Sequence, residues 1–155
     1  MVNTYFLDSS ALVKRYVPET GSSWIQSITD PNTGNSIAIA RIAWVEALSA
    51  FARRQCEGNL STDELDIMVQ KFRNDFTAQY QIIEADPALI EKAGELVIQY
   101  PLRAYDAIQL ASALRLQSNL AFTTNTQFIF VTADVRLINI AQSESLVSDN
   151  PNNYP

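Results

Sequence analysis

Short apolar runs alternate along this chain with longer stretches in which apolar positions recur at helical spacing. Residues 4–7 read as a buried strand that ends at Asp8, and Asp8 or Ser9 can cap a helix running to Tyr16. Residues 30–35, Asp-Pro-Asn-Thr-Gly-Asn, have the chemistry of a loop. A second strand is predicted over 36–40, then a helix over 41–57 stopped by Gly58-Asn59. Ser61-Thr62-Asp63-Glu64 matches a capping box, and behind it Leu65, Met68, Val69, Phe72 and Phe76 share one helical face. A third strand is predicted over 80–84. Asp86-Pro87 opens a helix that Pro101 ends, and a small-residue helix is predicted over 104–116. Strands at 120–124 and 128–132 and a helix at 135–142 complete the pattern. The polar, proline-bearing stretch 148–155 is expected to be a flexible tail beyond one domain of residues 1–147.

Strands alternating with helices predict an α/β sandwich around a mostly parallel sheet. In such sheets ligands bind outside the carboxyl ends of the strands, where the strand order switches. Composition narrows the chemistry that such a crevice can perform. The chain has 155 residues, no histidine and one cysteine, Cys56. It therefore has no Ser-His-Asp or Cys-His nucleophile system, no HExxH zinc helix and no zinc or disulfide framework of its own. Neither a P-loop nor a dinucleotide-binding string occurs. No run approaches the ~20 apolar residues of a membrane span. The unpaired cysteine and the absence of a signal-like leader lead to the expectation of a cytoplasmic protein. Any catalysis falls to carboxylates.

Four acids stand out by position. Asp8 directly follows a strand, and Asp134 follows another by one residue, so both are expected at the carboxyl edge of the sheet. Asp106 lies in the first turn of the small-residue helix, and Glu46 is embedded in an apolar helix, where an unpaired carboxylate is costly. Each also has an ordinary reading: Asp8 and Asp134 as helix caps, Asp106 as a complement to a helix dipole, and Glu46 as part of a polar stripe with Ser49 and Arg53. If the four meet, repulsion of about 4 kcal/mol per pair at ~4 Å forces them to take up protons or hold a divalent cation. Oxygen-only ligation points to Mg²⁺ or Mn²⁺, and a hard cation in an open acidic pocket suits phosphodiester hydrolysis.

Phe6-Leu7-Asp8-Ser9-Ser10-Ala11-Leu12-Val13-Lys14, Glu46 within residues 45–54, Leu102-Arg103-Ala104-Tyr105-Asp106-Ala107-Ile108-Gln109-Leu110-Ala111-Ser112-Ala113, and Phe130-Val131-Thr132-Ala133-Asp134 together resemble the acidic motifs of PIN-domain ribonucleases, and within them the VapC-type toxins of bacterial toxin–antitoxin pairs. The resemblance implies a three-layer α/β/α PIN-like fold with about five parallel strands, and a metal-dependent endoribonuclease that leaves a 5′-phosphate. Carried over motif by motif, Asp8, Glu46, Asp106 and Asp134 would be catalytic. Asp8, Asp106 and Asp134 would ligate Mg²⁺ or Mn²⁺, Glu46 would hold the attacking water as ligand or base, and the Thr132 hydroxyl would bond within the pocket. An RNA substrate, a homodimer and a cognate antitoxin are implied as partners. Two departures concern substrate contact: Ala40-Arg41 stands where a serine is common, and Val135 where a polar residue is common. The competing reading is a catalytically silent PIN-fold module that binds RNA or a partner, and the four intact acids argue against it.

The net charge of −6 is awkward for an RNA binder, because phosphate contacts dominate nucleic-acid affinity. Basic residues nevertheless lie near each acid in sequence: Lys14 and Arg15 after Asp8, Arg53 and Arg54 beyond Glu46, Arg103 before Asp106 and Arg136 after Asp134. Thr132, Arg53, Arg54 and Arg103 are the expected substrate contacts. Trp24, Trp44, Phe72 and Phe76 are expected in the core or at a subunit interface.

Overall fold

The computed structural model of the chain describes residues 2–121 and 126–155. Five strands, β1 (Asn3–Leu7), β2 (Ser36–Ala40), β3 (Gln81–Ile83), β4 (Gln127–Val131) and β5 (Ser148–Asp149), form one sheet in the order β3-β2-β1-β4-β5. All pairings are parallel, with Tyr5 opposite both Ile37 and Ile129. Among the described residues seven α-helices cover the sheet: α1 (Ser9–Tyr16), α2 (Ser22–Thr29), α3 (Ala43–Cys56), α4 (Thr62–Ala78), α5 (Pro87–Gln99), α6 (Ala104–Leu120) and α7 (Val135–Ser143).

Alternation along the strands sorts the two layers, since successive side chains point to opposite faces. Tyr5, Leu7, Ile37, Ile39 and Val131 pack with α1 to α4. Phe6, Ala38, Ala40 and Phe130 pack with α5, α6 and α7, and the small residues Ala107, Ala111 and Ala113 are buried in that contact. Both layers are present as expected. Among the described residues no helix is long and apolar enough to cross a membrane.

Local chemistry sets the element ends. Ser61 and Glu64 make the reciprocal capping box at the head of α4. Asp86 caps α5 with Pro87 in its first turn, and Gly58, at φ 79°, stands just past the end of α3.

Two expectations are corrected, and a third lies largely outside the described residues. The helix α2 lies in a stretch left without an element, because it is only eight residues long and its N-cap, Gly21, offers no side-chain signal. Residues 120–124 are not described as a strand: α6 continues to Leu120, four residues past the expected end, and residues 122–125 lie outside the described set. The tail is not loose. Ser148–Asp149 pairs with β4 as β5, Asn150 and Pro151 are buried, and the Tyr154 ring stacks on Trp24 at 4.4 Å. Gly21 (φ 88°) makes this docking possible, since a Cβ there would sit 2.4 Å from the Pro151 carbonyl oxygen.

The chain builds outward from β1 through β2 to β3, then returns to the other side of β1 for β4. The carboxyl ends of β1 and β4 are therefore the switch point, and the Asp8 amide donates to the Val131 carbonyl there at 3.1 Å.

Candidate active site

Asp8 leaves β1 at this crevice and caps α1: its Oδ1 accepts from the Ala11 amide at 3.0 Å and from the Ser10 hydroxyl at 2.6 Å. It is 5% exposed, and among the described residues no Lys or Arg forms an ion pair with it. Burial pushes its pKa up to about 6; hydrogen bonds from Ser10, Thr132 and Ala11 oppose the rise and the charge of Asp106 adds to it.

The other end of the crevice is a tight turn after β4. The Thr132 hydroxyl accepts from the Asp134 amide at 3.1 Å and lies 3.4 Å from the Ser10 hydroxyl, which itself accepts from the Ala133 amide at 2.9 Å. Ser10 thus ties the two strand ends together. Asp134 caps α7, its Oδ1 accepting from the Arg136 and Leu137 amides. Asp106 stands in the first turn of α6, where burial and then the charge of Asp134 raise its pKa against the pull of Arg103 and Arg136. Capping and electrostatic roles coexist in the same aspartates.

Glu46 is held separately. Its Oε1 accepts from the Ser9 hydroxyl at 3.0 Å and from the Gln109 amide nitrogen at 2.8 Å, and that nitrogen also reaches the Ser9 hydroxyl. Gln109 is 2% exposed, and its Oε1 is buried without a hydrogen-bond partner among the described residues. The expected quartet is therefore a chain: Asp8 influences Asp106, Asp106 feels Asp134, and Glu46 joins through Ser9, the neighbour of Asp8. The donors are all oxygens, which fits a hard divalent cation in kind. Among the described residues, no three acids form a closed ligand set.

Two clefts open from this edge. One, of about 280 Å³, is lined by Ser9, Ser10, Lys14, Glu19, Glu46 and Ala133, with Val13 and Ala50 beneath. The other, of about 390 Å³, lies between Val45, Glu46, Ser49, Arg53, Arg103 and Tyr105, so the polar stripe of Glu46, Ser49 and Arg53 borders a cavity.

The structure separates the expected substrate contacts. Arg53 and Arg103 line the larger cleft. Arg54 turns away from it and pairs with Glu19 at 2.6 Å, as Lys14 does at 3.2 Å. Thr132 is fully buried, with its hydroxyl engaged by the Asp134 amide, so it shapes the turn and offers no surface to a substrate. Ser9, Ser10 and Gln109, which hold Asp8 and Glu46 in place, were not singled out by sequence. The available signals were the two serines directly after Asp8 and the placement of Gln109 one turn beyond Asp106 on the same helix face.

Comparison with known proteins points the same way. The PIN domain family model matches residues 5–134. Ribonuclease VapC45 of Mycobacterium tuberculosis (strain CDC 1551 / Oshkosh) is 34% identical over 110 residues, 70% of this chain and 74% of that protein. Ribonuclease VapC49 of Mycobacterium tuberculosis (strain ATCC 25618 / H37Rv) matches to the same extent. The fold is shared with VapBC2 from Rickettsia felis bound to a promoter DNA fragment, with TM-score 0.59, 18% identity, and 95% of this chain and 98% of that one covered. It is shared also with FitAcB from Neisseria gonorrhoeae, with TM-score 0.60, 13% identity, and 95% and 97% covered. With the acids of all four motifs in order along one sheet edge, and a family match that covers β1 through the turn after β4, the chain belongs to the PIN domain family.

Proposed function

We propose that this protein is a metal-dependent endoribonuclease, the toxin of a toxin–antitoxin pair, with Mg²⁺ or Mn²⁺ held by Asp8, Asp106 and Asp134. The observation that carries the reading is Asp8: a buried carboxyl at the strand-switch crevice, without a cationic partner and beside a second acid that raises its pKa further. Perturbed acids in a crevice at the end of a parallel sheet mark a site, because a fold gains no stability from them. The 34% identity to proteins named ribonucleases supports RNA as substrate, and the VapBC and FitAcB structures support a small antitoxin as partner. The protein works as a homodimer that its antitoxin silences.

When bound, the cation would orient the scissile phosphate and offset charge at the leaving oxygen. The chain supplies the rest. Ser10 fixes the Asp8 carboxyl against the turn that carries Asp134, which holds the acids on both sides of the crevice in register. Ser9 and Gln109 both donate to Oε1 of Glu46, so Oε2 is the oxygen left to accept the proton of an attacking water. Water adds to phosphorus as Glu46 takes its proton, the bond to the 3′ oxygen breaks, and that oxygen takes a proton from solvent, so the products are a 5′-phosphate and a 3′-hydroxyl.

Asp8→Asn keeps the cap and removes the charge. It is expected to lower RNA cleavage at least about 100-fold, the upper end of what loss of a metal's supporting groups costs, and a chelator is expected to do the same to the wild type until Mg²⁺ or Mn²⁺ is restored. Cleavage that survives both treatments, measured by product ends on a gel, would overturn the assignment.

A further inference from the structure

We propose that Tyr105 is a base-stacking platform for one unpaired nucleotide beside the scissile bond, with Arg53 and Arg103 holding the flanking phosphates. The proposal rests on the ribonuclease reading above and names how that site would select its substrate.

Tyr105 differs from the five other tyrosines. The hydroxyls of Tyr5, Tyr16, Tyr80, Tyr100 and Tyr154 all take part in side-chain hydrogen bonds. Tyr105 is 60% exposed, and among the described residues its side chain has no hydrogen bond and no ring partner. A large aromatic left unpartnered in water calls for a reason, and its position gives one. It sits directly before Asp106 on α6 and faces the 390 Å³ cleft. The other wall of that cleft carries Val45, 59% exposed and directly before Glu46. Of the four acids Glu46 lines this cleft, so a nucleotide whose phosphate lies beside Glu46 brings its base to Tyr105.

Charge identifies the occupant. Arg15, Arg41, Arg54 and Arg115 are tied to acids, Arg73 lies over the Trp44 ring, and Arg136 stands on α7 and does not line this cleft. Arg53 and Arg103 form no ion pair among the described residues, and both line this cleft. A chain of net charge −6 thus presents, around one cavity at the acidic edge, two guanidinium groups that form no ion pair among the described residues and a ring with no aromatic partner there. Phosphates for the arginines and a base for the ring match that set, and stacking needs a base that is not paired within a duplex.

The test measures binding of a fluorescent single-stranded RNA in an Asp8→Asn background, with wild-type cleavage of the same RNA as reference. Tyr105→Ala is expected to weaken binding by about 5- to 150-fold, the worth of one stacked base, while Tyr105→Phe and Tyr105→Trp retain it. Arg53→Gln and Arg103→Gln are each expected to reduce the salt slope by about 0.7, as for one phosphate of a single strand. The same RNA held in a duplex should show no loss on Tyr105→Ala. Unchanged affinity of the Tyr105→Ala protein for single strands, while the wild type still cuts them, would overturn the stacking role and leave the ribonuclease intact. Unchanged affinity accompanied by loss of a dimer on size exclusion would assign the ring to a subunit contact and likewise overturn it. A wild type that neither binds nor cuts RNA overturns both readings.

Discussion

Two polar clusters are buried against the same helical layer, and they are built on opposite principles. Around Asp75, the Tyr16 hydroxyl donates at 2.7 Å, Lys71 pairs at 3.3 Å and Arg15 lies 3.7 Å away, while Arg15 also donates to the Tyr80 hydroxyl at 2.7 Å and Tyr16 and Tyr80 share a short hydrogen bond. Burial pushes the Tyr80 hydroxyl up to about 12 and Tyr16 higher still, so both remain neutral donors. Both cations of that cluster, Arg15 and Lys71, face the one carboxylate, Asp75, so no charge there lacks an opposite. At the end of β1, by contrast, Asp8 is buried with hydroxyl and amide donors but no cation, and its neighbour in charge is another acid. A cluster whose charges are paired holds α1, α4 and Tyr80 together; one without a counter-charge is kept in place against its own energetic cost. The difference locates function without reference to any motif.

The comparison breaks first on the balanced side. Asp75→Ala would strand Arg15, whose side chain is 9% exposed, and would remove the acceptor for Tyr16. Loss of one partner of such a pair costs about 3 to 5 kcal/mol. The expected result is a large drop in the denaturant midpoint with unchanged cleavage per folded molecule. A variant that keeps its stability but loses activity would place Arg15 and Asp75 in the site rather than in the scaffold.

On the unbalanced side the sign reverses. The Asp8 carboxyl is raised from 3.8 to about 6 in the folded chain. Between those values the folded state keeps a proton that the unfolded state has released. This group's contribution to stability is therefore complete below its unfolded pKa, is lost as pH rises through about 6, and is flat above. At 1.36 kcal/mol per unit the loss amounts to about 3 kcal/mol. Asp8→Asn retains an acceptor for Ala11 and Ser10 and removes the charge, so it is expected to gain up to that amount at pH 8 in the presence of a chelator, and to flatten the slope between pH 4 and 7. Equal slopes for the two proteins in urea titrations would mean that Asp8 is not the group that titrates. The same substitution should thus abolish cleavage and strengthen the fold, which the Asp75 cluster cannot imitate.

Both ends of this contrast were unevenly legible in the sequence. Asp8 was visible because a strand that stops at an acid is written in consecutive residues, and the fold rule sends that position to the crevice. Asp134 and Asp106 followed from the same local logic. The elements that escaped depend on distant partners. Gly21 matters only because Pro151 arrives 130 positions later, and β5 has two polar residues whose strand character comes from pairing with Val131. Arg53 and Arg54 are identical in type and adjacent. One faces a cleft and the other a glutamate 35 residues away, because one step along a helix turns the side chain by about 100°. Glu46 was noticed for its apolar setting, but what holds it, Gln109, lies 63 residues on.

Gln109 gives the smallest and most discriminating effect. Its Oε1 is buried without a partner among the described residues, an arrangement that costs about 1 to 3 kcal/mol. The fold accepts that cost because turning the amide to satisfy Oε1 would take Nε2 away from Glu46 and Ser9. Gln109→Leu removes the orphaned acceptor and the donor together. Stability is expected to hold or rise slightly, while kcat falls about tenfold, equivalent to about 1.4 kcal/mol, because Ser9 alone still restrains Oε1. KM should not move, since Gln109 is buried behind Glu46 and has no surface for RNA. A raised KM at constant kcat would mean that the amide acts on the substrate, and a destabilised protein with unaltered kcat would reduce Gln109 to packing. Only a fall in kcat on a fold at least as stable is consistent with a residue held in an unfavourable arrangement to aim Glu46 at the attacking water.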